Sequence, residues 1–147
     1  NIASSLDHDT KTLLASFILH SADISNPGKA WEHCERWAVL VMYEFFSQGD
    51  LQKKLGLKPS MNCDRDTVSV PSCQVGFGKF VIRDLYALLQ EILHDGGCYL
   101  LNNFNSNQEK WKSLQSISQE TNSSYKMKFL PPSEEGGWMG KLRANEK

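Results

Sequence analysis

Apolar residues in the first third of the chain recur at a helical spacing. Trp37, Val41 and Phe45 stand four residues apart in the sequence. This period places them on one face of an amphipathic helix that we predict over residues 29–48. The apolar residues beside them are Ala38 and Met42. Core packing is the ordinary role of such a face, and part of it can also line a ligand pocket.

The other periodic segments are helical in pattern, and none alternates apolar and polar residues as a strand would. These predicted helices lie at residues 10–22, 71–93, 98–104 and 108–118. Gly49 is expected to end the second helix, and residues 56–66 are expected to form a surface loop because they contain Gly, Pro and Asn. We therefore predict an all-α fold, a helical bundle of about five to six helices.

Composition divides the chain into two parts. Residues 1–119 carry the helical patterns and are predicted to form one domain, or part of a larger one. Residues 120–147 mix Ser, Pro, Gly and charged residues, so this tail is predicted to be mostly extended or disordered.

Charge and cysteine use exclude several classes of protein. The 16 basic and 17 acidic residues nearly cancel, so the chain has no electrostatic footprint for nucleic acid. No apolar run approaches the ~20 residues of a membrane span, so none is predicted. The four cysteines form no C-x-x-C pair and are expected to be reduced thiols of a cytoplasmic protein. They are Cys34, Cys63, Cys73 and Cys98.

Two polar residues are candidates for chemistry. Asp23 precedes a Ser-Asn-Pro sequence at 25–27 that is typical of a helix start, so it is either a turn residue or a carboxylate ligand for a hard cation. Gln74 and Phe77 are i and i+3 on one predicted helix face. The Gln74 amide either bonds to neighbouring backbone or reads a ligand, because burying it unpaired costs ~1–3 kcal/mol. Spacing alone leaves both pairs of alternatives open.

Three separated motifs together resemble the catalytic domain of class I cyclic-nucleotide phosphodiesterases. They are Ala22-Asp23-Ile24-Ser25-Asn26-Pro27 with Lys29 and Trp31, Glu44-Phe45-Phe46 with Gln48-Gly49-Asp50, and Cys73-Gln74-Val75-Gly76-Phe77. Their order and intervals match that family between Leu14 and Leu93, although Gly78-Lys79 replaces the usual Ile-Asp. The resemblance implies part of a larger all-helical metallo-phosphohydrolase domain that hydrolyses cAMP or cGMP to the 5′-monophosphate.

The resemblance also implies roles for individual residues. Asp23 corresponds to one ligand of a paired metal site that holds Zn²⁺ with Mg²⁺ or Mn²⁺, and two such ions can generate a nucleophile near neutral pH. Gln74 corresponds to the amide that hydrogen-bonds the purine edge. Phe77 corresponds to the ring that stacks on the base, and Val41 to the opposite jaw of this clamp. The further pocket residues that it implies are Asn26, Trp37 and Phe45.

The family's other metal ligands and its catalytic histidine lie in His-Asn and His-Asp motifs upstream of the matching stretch. No His-Asn pair occurs in this chain, and the only His-Asp pair that precedes Asp23 lies in Asp7-His8-Asp9, which lacks the helix context expected of such a site. We therefore expect a missing N-terminal half in a longer parent chain, and self-association of the isolated chain through exposed apolar faces. By itself the chain should be inactive, because one carboxylate cannot hold a dinuclear site. The alternative is a non-catalytic helical module that binds nucleotides or another protein.

Overall fold

A computed structural model describes residues 6–121 of the chain. Within this range the chain is helical and contains no strand, which confirms the all-α prediction. A 3-10 turn at Asn26–Gly28 joins the first two α-helices, and a π-turn at Gly78–Ile82 joins the third to the fourth. The α-helices are α1 (His8–Asp23), α2 (Trp31–Lys54), α3 (Val70–Phe77), α4 (Arg83–Leu93) and α5 (Asp95–Thr121).

Helix α1 begins just before its predicted start, at an acidic cap. Asp7 accepts hydrogen bonds from the backbone N–H of Thr10 at 2.8 Å and from the Thr10 hydroxyl at 2.7 Å. These bonds hold the pKa of the Asp7 carboxyl below its usual value. The helix ends with Asp23, so that carboxylate lies at the mouth of the following turn.

The predicted helix start at residues 25–27 is wrong in its detail. Ser25 makes no side-chain capping bond, and Pro27 lies in the short 3-10 turn rather than in the first turn of α2. Helix α2 starts later, at Trp31. Pro27 and Gly28 of this turn are buried, and Tyr86 and Leu100 pack directly against Gly28.

Helix α2 continues past Gly49, which contradicts the predicted helix end there. Gly49 is a buried helical residue whose Cα lies against the backbone carbonyl of Cys63 in the following loop. The glycine therefore provides close contact between two backbones rather than a helix stop. We refer below to residues 55–69, between α2 and α3, as the connecting loop.

The helix predicted at 71–93 is interrupted by the π-turn, and the two helices predicted at 98–104 and 108–118 are one continuous helix, α5. Gly97 lies inside the first turns of α5, in contact with the backbone of Gln90 in α4. His94, between α4 and α5, has a positive φ of 42° and turns the chain sharply. The close approach of α4 and α5 therefore explains why position 97 is a glycine.

Helix α5 organises the core of the described region. The indole of Trp111 is 1% exposed and packs against Trp31 of α2, with ring centroids 4.9 Å apart. Nearer its start, Phe104 meets the Tyr86 ring of α4 edge-on at 5.6 Å. Residues 120 and 121 still belong to α5, and the rest of the predicted tail, 122–147, lies outside the described residues. In the described part of the chain, no helix is both long enough and apolar enough to cross a bilayer.

Candidate functional site

A cavity of about 300 Å³ lies between the end of α1, the 3-10 turn, α2 and α3. All seven residues that the sequence analysis selected line this one cavity. They are Asp23, Asn26, Trp37, Val41, Phe45, Gln74 and Phe77. The fold thus brings together residues from three separated stretches of the sequence, and it joins the candidate metal ligand Asp23 to the candidate base-reading amide Gln74.

One wall of the cavity comes from the end of α1 and the 3-10 turn. Asp23 is the last residue of α1 and is exposed, and Asn26 is the first residue of the turn. Between them, the backbone carbonyl of Ile24 accepts a hydrogen bond from the Tyr86 hydroxyl at 3.2 Å. This bond attaches the segment that carries both residues to α4.

A second wall is the apolar face of α2, whose residues differ in how far they are buried. Ala38 and Met42 are 5% and 2% exposed, so they belong to the core, and they also border the cavity. Trp37, Val41 and Phe45 retain 46%, 36% and 37% exposure and line the cavity. Part of the predicted face therefore packs in the core, while its flank offers apolar surface to a ligand.

The third wall is α3, with Gln74 and Phe77 one helical turn apart. Among the described residues, none forms a hydrogen bond with the Gln74 side-chain amide, although the Gln74 backbone carbonyl accepts one from Gln108 Nε2 at 3.2 Å. The side chain is half-buried, so water can reach the amide. The alternative in which this amide bonds to neighbouring backbone does not describe the structure. Its donors and acceptor are available to a ligand.

Sequence reasoning missed several cavity residues, of which the cysteines and Asn62 are polar. Burial raises the pKa of the Cys34 thiol to about 11 despite a hydrogen bond with Trp111, and burial also raises the pKa of Cys73. Both thiols are therefore neutral near pH 7. Asn62 comes from the connecting loop with a φ of 66°, a left-handed conformation that Asn tolerates. No sequence signal indicated which loop residue would reach the cavity.

Asp23 is the only charged residue among the described residues that line the cavity. In the described region, no group of three His, Cys, Asp or Glu side chains is arranged to hold a metal ion. A stable site for zinc needs about four ligands, and one for magnesium about six. The described residues therefore do not fit a metal ion by themselves, and Asp23 can supply only one oxygen ligand.

Comparison with known proteins identifies the family. The family model described as "3'5'-cyclic nucleotide phosphodiesterase" matches residues 2–104, which include every residue that the sequence analysis selected for the site. The chain belongs to this phosphodiesterase family. Membership suggests dependence on metal ions, although the described residues contain no metal site.

Individual phosphodiesterases match part of the chain. A dual specificity calcium/calmodulin-dependent 3',5'-cyclic nucleotide phosphodiesterase 1C from Mus musculus is 43% identical over 77 residues, 52% of this chain. Phosphodiesterase 1B from Bos taurus is 39% identical over 87 residues, 59% of this chain. A probable 3',5'-cyclic phosphodiesterase from Caenorhabditis elegans is 45% identical over 76 residues, 52% of this chain.

The chain spans only a small part of each phosphodiesterase relative. It covers 11% of the mouse protein, 16% of the bovine protein and 11% of the nematode protein. Among solved structures, LmjPDEB1 in complex with IBMX superposes with a TM-score of 0.69 at 27% identity. That match covers 76% of this chain and 33% of LmjPDEB1, so the fold of this chain is similar to about a third of a phosphodiesterase structure.

Proposed function

We propose that the chain is the C-terminal part of a phosphodiesterase catalytic domain that hydrolyses the cyclic phosphodiester of cAMP, cGMP or both to the 5′-monophosphate. The observation that carries this proposal is that one cavity joins Asp23 to Gln74 and Phe77. Membership of the phosphodiesterase family supports it and does not favour the alternative of a non-catalytic interaction module.

Base binding is the part of the reaction that this chain can perform. A purine is flat and apolar on its faces and carries hydrogen-bonding groups on its edge. Phe77 and Val41, on α3 and α2, offer apolar surface for the faces, and the free amide of Gln74 offers two donors and an acceptor for the edge. Rotation of the amide by half a turn exchanges its donor and acceptor. The site is therefore compatible with adenine and with guanine.

The remaining cavity residues extend this base site. Trp37 and Phe45 add aromatic surface along α2, and Asn26 adds a polar side chain beside Asp23. The phosphate would lie towards Asp23, where the complete protein would hold Zn²⁺ and Mg²⁺ or Mn²⁺. Such ions neutralise negative charge on a phosphoryl group and activate water. Asp23 would donate one carboxylate oxygen to that site, and the upstream half of the domain would supply the other ligands.

The missing half of the domain is the principal partner in this proposal. Without it the isolated chain should bind the base but hydrolyse no phosphodiester, and its exposed apolar residues should favour self-association. The free thiols and the expected intracellular substrate class agree with a cytoplasmic protein.

Calorimetry with cAMP and cGMP tests the base site directly. The 147-residue chain should bind at least one of the two without added metal, and Gln74→Ala should weaken binding about tenfold, the effect of losing one or two net hydrogen bonds. Gln48→Ala is the matched control, because Gln48 is an exposed α2 residue outside the cavity lining. Absence of binding to either nucleotide, or equal binding by Gln74→Ala, contradicts the proposal.

A second measurement tests the assignment as a fragment. With Zn²⁺ and Mg²⁺ added, the isolated chain should hydrolyse neither cAMP nor cGMP, because the described residues provide one metal ligand. Metal-dependent turnover that co-purifies with the chain and disappears in Asp23→Asn would show that the chain is catalytically complete.

A further inference from the structure

Two adjacent residues of α5, Asn107 and Gln108, have buried side-chain amides that hydrogen-bond to two different walls of the cavity. They are 3% and 9% exposed, and neither lines the cavity. In a soluble protein, Asn and Gln are mostly exposed, and a buried amide must have its hydrogen-bonding groups satisfied. The partners of these two side chains therefore show what they do.

Asn107 holds the 3-10 turn. Its Nδ2 donates to the backbone carbonyl of Pro27 at 2.9 Å and to that of Lys29 at 2.8 Å, so both donors of the amide are used. One helical turn earlier, Asn103 Nδ2 donates to the carbonyl of Gly28 at 3.0 Å. Three consecutive carbonyls are thus bound by one face of α5. These three hydrogen bonds fix the position of the turn that begins at Asn26.

Gln108 holds α3. Its Nε2 donates to the Gln74 backbone carbonyl at 3.2 Å, and its side chain fills the space where Gly78 lacks a Cβ. Any larger residue at position 78 would collide with the Gln108 amide. Gly78 begins the π-turn, and its backbone N–H also donates to the Gln74 carbonyl, so that carbonyl accepts from both Gly78 and Gln108. Gln108 therefore supports α3 at the residue that carries the candidate base-reading amide.

We propose that Asn107 and Gln108 are positioning residues that set the separation between the Asn26 wall and the Gln74 wall of the cavity, and thereby its affinity for a cyclic nucleotide. Because they are neighbours on one rigid helix, the two walls are fixed to a common support. The choice of ligand rests on the proposed function, whereas the positioning rests on the hydrogen bonds themselves. A purely structural role would lower stability without changing the cavity of the folded protein.

Three variants of the 147-residue chain separate these roles. Asn107→Ser shortens the side chain and replaces both amide N–H donors with one hydroxyl, and Gln108→Met keeps the length of the side chain but removes its N–H donors. Asn102→Ser is the matched control, because Asn102 is exposed on the same helix and, among the described residues, has no hydrogen bond through its side chain. Each variant is examined at a temperature at which its thermal melt shows it to be folded.

The first readout is the set of backbone amide signals in two-dimensional NMR spectra without ligand. Asn107→Ser should move the signals of Asn26, Gly28 and Lys29, and Gln108→Met should move those of residues 74–78, each with little effect on the other wall. Asn102→Ser should move neither set. Unchanged signals in both walls, in variants that are folded, overturn the proposal. If Asn107→Ser does not fold, Gln108→Met decides alone, because it loses a single hydrogen bond.

The second readout is the dissociation constant for cAMP and for cGMP. Asn107→Ser should weaken the binding of the nucleotide that the wild type binds by about tenfold, and Gln108→Met by a few fold, in proportion to the hydrogen bonds lost. Unchanged dissociation constants alongside a lowered melting temperature indicate a structural role only and overturn the proposal. If the wild type binds neither nucleotide, the proposed function fails, and the NMR signals still decide whether the two amides position the walls.

Discussion

Glycines at two helical positions have different surroundings, although the sequence gives no sign of the difference. Gly49 in α2 lies against the Cys63 backbone carbonyl, while Gly76 in α3 has open space where a Cβ would lie. Intrinsic helix propensity favours alanine over glycine by about 1 kcal/mol at both positions. Only the packing around each Cα decides whether that gain is realised.

Alanine substitutions at these two positions should therefore have opposite effects on stability. Gly76→Ala should raise the free energy of unfolding by about 1 kcal/mol, because nothing opposes the propensity gain. Gly49→Ala should lower it by about 1–3 kcal/mol, because the new methyl group forces α2 and the connecting loop apart. Urea denaturation followed by circular dichroism measures both. Stabilisation by Gly49→Ala would mean that the loop does not contact α2 as described.

Spacing predicted that Gln74 and Phe77 share a helix face, and the resemblance to phosphodiesterases predicted that both belong to one pocket with residues of α2. Asn107 was not predictable in the same way. Its bonds to Pro27 and Lys29 span 80 and 78 positions of the sequence. No local pattern records a pairing over that distance, and an Asn within an amphipathic helix is usually a solvated residue.

At the scale of elements, the connecting loop is attached to the last turns of α2 by polar contacts. Arg65 donates to both carboxylate oxygens of Asp50, at 2.9 and 2.5 Å. Lys53 bridges Asp64 and Asp66, at 2.6 and 2.7 Å. The hydrogen bond from Arg65 lowers the pKa of the Asp50 carboxyl, and the hydrogen bond from Lys53 lowers that of Asp64. This loop also brings Asn62 to the cavity.

These shifts predict that the loop loosens in acid. A carboxyl whose pKa is lowered in the folded state stabilises that state fully above its unfolded value of 3.8, and the contribution is lost as the pH falls through the lower folded value. Hydrogen exchange of residues 57–66, corrected for intrinsic rates, should show constant protection down to about pH 4 and a loss below it. Residues 103–111 of α5 serve as the internal reference.

The variant Arg65→Gln provides the control for this prediction. It removes the charge opposite Asp50, so the loop should already be less protected at neutral pH, and the acid-dependent loss should become smaller. The Gln52 amide donates to the Ser60 hydroxyl and accepts from the Ser60 backbone N–H, both at 2.8 Å; these bonds do not titrate and should limit the loosening. Equal protection of the wild-type loop above and below pH 3.8 would contradict the prediction.

Helix boundaries were less predictable than helix content, for a reason visible at Gly49 and Gly97. Glycine usually breaks helices, yet both residues lie inside helices. Each position requires a glycine because another backbone approaches it closely. Glycine serves equally for helix ends and for close contacts, so its presence alone does not distinguish them. The apolar period survives such interruptions, and it correctly predicted an all-α fold.

Many large apolar side chains of the described region are exposed to solvent. Phe80 is 79% exposed, Leu19 is 73% exposed and Leu13 is 72% exposed. Single exposed apolar residues are common, but contiguous apolar patches usually mark an interface. The match to only 33% of the LmjPDEB1 chain supports the view that further protein covers these residues in the complete domain.

The isolated chain should therefore self-associate, because no upstream half covers these side chains. Sedimentation velocity should show a mean size that rises with concentration, and a dye sensitive to hydrophobic surface should bind. Combining Phe80→Ser with Leu19→Ser should reduce both signals while changing the melting temperature little, since both side chains are already exposed. Lys58→Ser, an exposed residue of the connecting loop, should leave association unchanged. A chain that stays monomeric at every concentration, melts cooperatively and binds no dye would show that its apolar residues need no cover.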